Sequence, residues 1–417
     1  SLIAGNDVME FAEDVPKAME LIRQAVTEGR ISQEEIDKRC RKVLNAKAWF
    51  GLDKYKPIDL KNLTAELNNS TAKAVDNKLV ENSLTLLINK NAVPINNLDE
   101  GRIASFVIGD GPGGTFQNTL SQYASVDHFA VKNGAPAAEY YNILNQLKKY
   151  EKVIVSVHNL STSRTKNYGI TQELLNVFAE LSFSTQLTVN VFGNPYALGR
   201  LPEIEHANAL LFSYRKSKTA ERLAAQAIFG GVAVSGKLPV TANTQFNYGA
   251  GLTTKKTRLA YGEPAQVGLD ETVLAQIDAI TMEAIEAKAT PGAQLLVAKD
   301  GVVIYNKTFG HHTYAAEREV QLTDIYDLAS ITKVAASLVS FMKLVDEGKV
   351  SIDDKVSEHL LELKFTNKKD IKFRDMLAHY AQLQAWIPFY LKTIKNGGPD
   401  SAYYRDTESA EFPHHVA

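Results

Sequence analysis

A single cysteine in 417 residues, Cys40, excludes an internal disulfide and any cysteine-rich metal cluster. Long apolar runs are also missing. No stretch approaches the roughly 18 residues that a membrane-spanning helix needs, and the opening SLIAGNDVMEF has neither the basic start nor the long apolar centre of a secretory signal. Charge of one sign is not in excess: 46 Lys and Arg stand against 48 Asp and Glu, for a formal net charge of -2. That balance leaves no electrostatic footprint for nucleic acid or an anionic membrane surface. No repeat of solenoid period occurs. What is present is 45% hydrophobic residues in a length that suggests two or three domains. Neutral or small substrates are the default partners, and no cofactor is expected. The absent initiator Met and the abrupt PHHVA ending read as an excised segment.

Three patterns follow one another. Residues 1–54 begin with a short apolar run, Leu2 to Ala4, expected as a strand, then a Gly5-Asn6-Asp7 turn and two amphipathic helices. Val15, Met19, Ile22 and Val26 carry the first, which Gly29 closes; Ser32, with Glu35 three residues later, caps the second. Residues 55–250 alternate short β-rich runs with helical stretches. RIASFVIGD (102–110), KVIVSVHN (152–159), QLTVNVFGN (186–194) and NALLFSY (208–214) are the expected strands, and the alternation predicts a mostly parallel, helix-covered sheet of α/β class. In such sheets binding loops follow the carboxyl ends of the strands, where HNLSTSRTKNYG and FGNPYA fall. Residues 251–266, rich in Gly, Lys and Thr without apolar period, read as a linker. From 267 to 417 come a helix (Glu271 to Lys288), a Pro291-Gly292 turn, a hairpin turning at Asp300-Gly301, and the stretch YDLASITKVAASLVSFMKLVDEGKV.

That stretch contains Ser330 and Lys333. Ser-x-x-Lys occurs five times in the chain, also at Ser70/Lys73, Ser163/Lys166, Ser213/Lys216 and Ser340/Lys343, so the spacing alone selects nothing. Context selects Ser330/Lys333. At positions i and i+3 of a helix both side chains share a face, so the amine approaches the hydroxyl, and a helix N-terminus favours negative charge on a developing oxyanion. Ser340/Lys343 lies deeper in the same run, Ser70/Lys73 has no flanking hairpin, Ser163/Lys166 is in a loop and Ser213/Lys216 ends a strand.

Two family resemblances cover the chain. AGNDVMEF with EDVPKAMELIRQAVTEGRISQEEIDKRCRKVLNAKAWFGL resembles the end of the (β/α)8 barrel of glycoside hydrolase family 3, while ENSLTLLINKNAVPI, FGNPYAL and FGGVAVSGKLPVT are similar to the α/β sandwich domain that follows it. The resemblance implies a carbohydrate substrate, with β-N-acetylhexosaminidase as the expected branch. It also implies that the aspartate nucleophile and the acid/base histidine belong to barrel segments upstream of Ser1, absent from this chain. Asp7, after the expected last barrel strand, and His158 and Arg164, after the second sandwich strand, are candidates for the border of the sugar pocket.

The last segment, VGLDETVLAQIDAITMEAIEAKATPGAQLLVAKDGVVIYNKTFG and then DLASITKVAASLVSFMKLVDEGKVSIDDKVSEHL, is similar to the start of the beta-lactamase-like serine hydrolases of the class C and penicillin-binding type. The resemblance implies Ser330 as nucleophile and Lys333 as its partner. It also calls for a later Tyr-x-Asn and a Lys-Thr-Gly strand, which the chain does not contain; Tyr404-Arg405-Asp406 only imitates the first. MLAHYAQLQAW (376–386) resembles the family's His-Thr-Ser-Gly-Leu helix start, with Tyr380 and Gln382 in place of small residues. His311, His312, His414 and His415 lack ligand spacing, and no metal site is expected. Together the resemblances imply a glycosidase joined to a serine hydrolase, acting in cell-wall sugar or peptidoglycan metabolism and exported or periplasmic. Two alternatives stay open: serine acyl transfer as the main activity, or a non-catalytic scaffold.

Overall fold

The runs expected as buried strands are strands, and they pair as their composition requires. The computed structural model describes residues 1–404, 407 and 409. The chain divides into two compact units, Ser1–Leu322 and the part from Thr323 onward.

In the first unit β1 (Thr85–Asn89), β2 (Ile103–Ile108), β3 (Val126–Val131), β4 (Lys152–Val157), β5 (Gln186–Val191) and β6 (Ala209–Phe212) make one sheet in the order β1-β6-β5-β4-β2-β3. Only β1 runs antiparallel to its neighbour. Five helices frame the sheet or lead into it: α3 (Leu63–Leu67), α4 (Ser70–Ser83), α5 (Thr115–Leu120), α6 (Ala137–Leu147) and α7 (Gln172–Leu181). A sixth, α8 (Lys218–Ile228), follows β6. Successive side chains of a strand point to opposite faces, so each strand feeds two cores. Phe106, Val155, Val189 and Phe212 pack with Leu144 of α6 and Phe178 of α7 on one face, while Val107, Ile154 and Leu211 pack with Phe116 of α5 and Leu223 of α8 on the other.

β3 has no counterpart in the sequence reading. Its Val-Asp-His-Phe-Ala-Val is only half buried, as an edge strand is, so it shows no continuous apolar run. The opposite edge is covered: Gly236 and Leu252 donate their N–H groups to the carbonyls of Leu84 and Leu86 at 3.1 and 2.7 Å.

Leu2–Ala4, expected as a strand, is instead a 3-10 turn. Extended backbone needs a neighbouring strand to satisfy it; here Ala4 and Gly5 donate locally to Ser1 and Leu2 carbonyls at 3.0 and 2.9 Å, with Gly5 at φ 101. The two following helices form as read, α1 (Val15–Thr27) and α2 (Gln33–Trp49), with Ser32 Oγ accepting from the Glu35 amide at 3.1 Å. Arg39 of α2 donates to the carbonyls of Leu2 and Asn6, both at 2.6 Å, and fixes the opening turn.

The stretch 251–266 is strapped to the sheet, although its composition carries no apolar signal for this. Arg258 Nη1 donates to the carbonyls of Ile95 and Phe229, both at 2.6 Å, and Nη2 donates to Asn96 at 2.9 Å. Tyr123 Oη donates to Leu259, and β7 (Ala260–Tyr261) pairs with β9 (Val302–Gly310), the second strand of a hairpin begun by β8 (Gly292–Lys299). The hairpin turns at Asp300-Gly301, φ 51 and 74, as that dipeptide predicts. The single helix expected from Glu271 is two, α9 (Glu271–Leu274) and α10 (Gln276–Glu286). Arg258→Ala leaves three backbone carbonyls without their charged donor and is expected to cost about 2 kcal/mol, read as a lower urea midpoint; an unchanged midpoint would mean that the strap adds nothing.

In the second unit the quoted stretch is helical from 331 and includes one π turn, Lys333–Leu338, before α11 (Val339–Asp346). Phe341 packs on Phe373 with ring centroids 4.9 Å apart, and Arg374 clasps Asp353 through two bonds of 2.9 Å.

Candidate active site

Ser330 is the residue immediately before the helix that opens at 331, so the serine stands at a helix N-terminus as its context predicts. Asp327 Oδ1 accepts from the Ala329 amide at 2.8 Å, and Ala329 itself turns through the left-handed region at φ 44. Lys333 Nζ reaches Ser330 Oγ at 2.8 Å. That is within proton-transfer reach. The amides of Ile331, Thr332 and Lys333 are taken by the carbonyls of Leu328, Ala329 and Ser330 at 2.9, 3.1 and 3.1 Å. The first helical turn therefore presents a paired hydroxyl and amine, while its backbone donors are engaged within the turn. Ser340 and Lys343 both lie inside the helical run, and Lys343 is ion-paired at 3.9 Å with Glu347.

Gln382 occupies the place of the glycine in the His-Thr-Ser-Gly-Leu resemblance, and its φ is 53. A side chain in this region costs roughly 1 kcal/mol that glycine does not pay. Gln382→Gly is thus expected to stabilise the second unit by about that much, seen as slower hydrogen exchange of α11; faster exchange would show that the Gln382 side chain makes a compensating contact. Tyr404 Oη meets Thr393 Oγ1 at 2.7 Å. Arg405, Asp406, His414 and His415 lie outside the described residues.

The other three candidates fall into separate surroundings in the first unit. Asp7 is ion-paired with Lys42, which holds its carboxyl below the usual range. Arg164 lies exposed on the 3-10 turn Arg164–Gly169. His158, directly after β4, is 3% exposed. No hydrogen bond or ion pair joins these three among the described residues. His158 belongs to a group that the sequence reading did not assemble, with Asp110 after β2 and Lys216 and Glu221 around the start of α8. Lys216 is ion-paired with Asp110 and lies 3.9 Å from Glu221 Oε1. Burial pushes His158 down to about 4, and the Lys216 ammonium works in the same direction. Burial raises Glu221, while Lys216 holds Asp110 low. The signal was faint, because these residues stand up to 111 positions apart in sequence and meet only when the strands align.

The family described as Beta-lactamase matches residues 277–400. The C-terminal part of the chain therefore carries a beta-lactamase-like domain. A "Putative D-alanyl-D-alanine carboxypeptidase" of Salmonella agona (strain SL483) is 34% identical over 126 residues, 28% of this chain and 29% of the relative. "Protein flp" of Staphylococcus aureus (strain NCTC 8325 / PS 47) is 31% identical over 106 residues, 25% of this chain and 21% of the relative. The chain thus spans less than a third of the length of these curated relatives. Among solved structures, a glycoside hydrolase family 3 beta-N-acetylglucosaminidase from Paenibacillus sp. str. FPU-7 is similar at 19% identity and TM-score 0.38, over 53% of this chain and 42% of that one. A beta-glucosidase from Listeria innocua is similar at 17% identity and TM-score 0.39, over 52% and 33%.

Proposed function

We propose that the chain is part of a two-activity hydrolase in which Ser330 is the nucleophile of a serine acyl-transfer site and Lys333 its proton acceptor. The observation that carries this reading is the 2.8 Å contact between Lys333 Nζ and Ser330 Oγ at the mouth of a helix, inside the segment that matches the beta-lactamase family. In this scheme Ser330 Oγ attacks a carbonyl carbon as its proton passes to Lys333, and the bond from that carbon to the leaving amine breaks as Lys333 returns the proton to the amine nitrogen. Water then hydrolyses the ester left on Ser330, freeing the acid and restoring the hydroxyl. The name of the Salmonella agona relative, a putative D-alanyl-D-alanine carboxypeptidase, points to a peptide ending in D-alanyl-D-alanine as substrate. The boundaries 1–54, 55–250, 251–266 and 267–417 are proposed as barrel end, sandwich domain, connecting strap and serine hydrolase part.

The second activity is a family 3 glycosidase of β-N-acetylhexosaminidase type, supported by the sequence of residues 1–250, with Asp7, His158 and Arg164 proposed near the sugar. The two halves are tested separately. The protein carrying the whole beta-lactamase-like domain is expected to release D-alanine from a D-Ala-D-Ala-terminated peptide, and the protein carrying the upstream barrel to cleave an aryl β-N-acetylglucosaminide. No D-alanine release and no acyl-enzyme at Ser330 would sink the first reading. Aryl glycoside cleavage by residues 1–417 alone would show that the glycosidase nucleophile has been misplaced.

A further inference from the structure

β2 and β4 are neighbours in the sheet, yet the chain leaves β2 for β3 on one side before returning to β4 on the other. Helix α5, after β2, packs on one face, and α6, after β3, packs on the other. The sheet therefore changes direction between β2 and β4, and the crevice beyond the carboxyl ends of such a strand pair is where open α/β sheets bind ligands. Asp110 and His158 lead out of these two strands. Gly109 makes their approach possible: it has φ +93, and a Cβ there would lie 2.3 Å from the His158 carbonyl oxygen.

Inside this crevice one ligand atom each of Asp110, His158 and Glu221 lies within 4.8 Å of the others. His158 is almost wholly buried, between the rings of Phe116 and Phe192 at centroid distances of 6.0 and 4.8 Å. Its Nε2 is engaged by Ser156 Oγ at 2.8 Å, and Ser156 is held in turn by Asn190 Nδ2 at 3.1 Å, whose Oδ1 accepts from Ser213 Oγ at 2.6 Å. That row of side chains fixes the ring. Nδ1 has no hydrogen-bond partner; Asp110 Oδ2, at 3.8 Å, is too far for one. A buried imidazole nitrogen with its other nitrogen anchored and two carboxylates beside it is the donor set of a metal ligand with its outer support in place. Lys216 answers the carboxylates but not the ring.

We propose that Asp110, His158 and Glu221 bind a first-row transition-metal dication of the zinc type, and that the metal displaces Lys216 from Asp110. Imidazole together with two carboxylates suits such an ion better than the oxygen-only sets preferred by magnesium or calcium. The charges fit: two carboxylates balance the dication, and the 27% exposed Lys216 side chain can leave toward solvent.

The test is calorimetric titration of the full chain with Zn²⁺, alongside Co²⁺ absorption as a coordination signature. A second group, half-buried Asp354 with exposed Glu358 and His359, lies in the other unit, so His359→Gln serves as the control. The proposal expects one Zn²⁺ site that survives His359→Gln, weakens about 100-fold or more in His158→Gln, weakens in Glu221→Gln, and tightens about 10-fold in Lys216→Met as the competing ammonium is removed. Mg²⁺ should not compete. Zn²⁺ binding indifferent to Glu221→Gln and Lys216→Met, or lost only in His359→Gln, overturns it, as does no binding by Lys216→Met; these readouts decide the matter even if His158→Gln fails to fold.

Discussion

Ser330→Ala is expected to abolish covalent labelling by a serine-directed fluorophosphonate in the protein that carries the whole beta-lactamase-like domain, while Ser340→Ala leaves labelling intact. The asymmetry follows from position. Ser330 precedes the helix and has Lys333 Nζ 2.8 Å from its hydroxyl. Ser340 is inside the helical run, where Lys343 is drawn to Glu347. If Lys333 is the proton acceptor proposed above, Lys333→Ala should slow acylation by about 10²–10⁴-fold, nearly as damaging as Ser330→Ala, since members of a catalytic unit fail together. Lys333→Arg keeps a charge but presents a donor-only guanidinium and should not restore the rate. Labelling that persists in Ser330→Ala, mapped by mass spectrometry to another residue, would reduce the Ser-x-x-Lys stretch to an ordinary helix start.

The second large effect concerns acid. His158 is about 4 in the fold and about 6.5 when unfolded. Its folded value is the lower, so the unfolded chain binds the extra proton between these limits. The stability owed to a neutral His158 is fully present above pH 6.5 and is lost as pH falls through 4, a change of about 3 kcal/mol. The neighbours shape the curve without cancelling it. Glu221, raised by burial, gains stability as pH falls and opposes the loss, whereas Asp110, held low by Lys216, contributes its own loss only in stronger acid. The measurement is the urea midpoint of unfolding at pH 7 and pH 4.5 in a chelator, for the parent and for His158→Gln, which keeps a polar side chain but does not titrate. The parent should lose much more than the variant on acidification. Parallel losses would place the acid sensitivity elsewhere.

Much of the sheet was legible because its strands are buried on both faces. Ile103–Ile108 and Lys152–Val157 are near-continuous apolar runs, and such runs declare themselves without help from the rest of the chain. Val126–Val131 was not legible, since an edge strand mixes Asp127 and His128 among its apolar residues. The Arg258 strap was hidden for another reason: its stability lies in backbone carbonyls, which every residue carries and no composition reveals. The Ser330–Lys333 contact is local, three residues on one helical turn, and could be read from spacing and context. The grouping of Asp110, His158 and Glu221 depends on strand order, so His158 alone stood out, as a residue following a strand, and its two carboxylate neighbours did not.

The two edges of the large sheet are unlike. Along β1 the carbonyls of Leu84 and Leu86 already accept from Gly236 and Leu252, so an incoming strand finds its bonding positions taken. β3 pairs with β2 on one side, and no strand is paired to its other side among the described residues. Growth of a fibre by strand addition needs two receptive edges on every unit. A sheet with one can join a second copy back to back along β3 and then has nothing left to offer, so self-association through this sheet ends at a pair. The ion pair of Asp127 with Arg102 at 2.7 Å puts charged side chains on that single receptive edge, which an incoming strand would have to desolvate, so even the pair is discouraged.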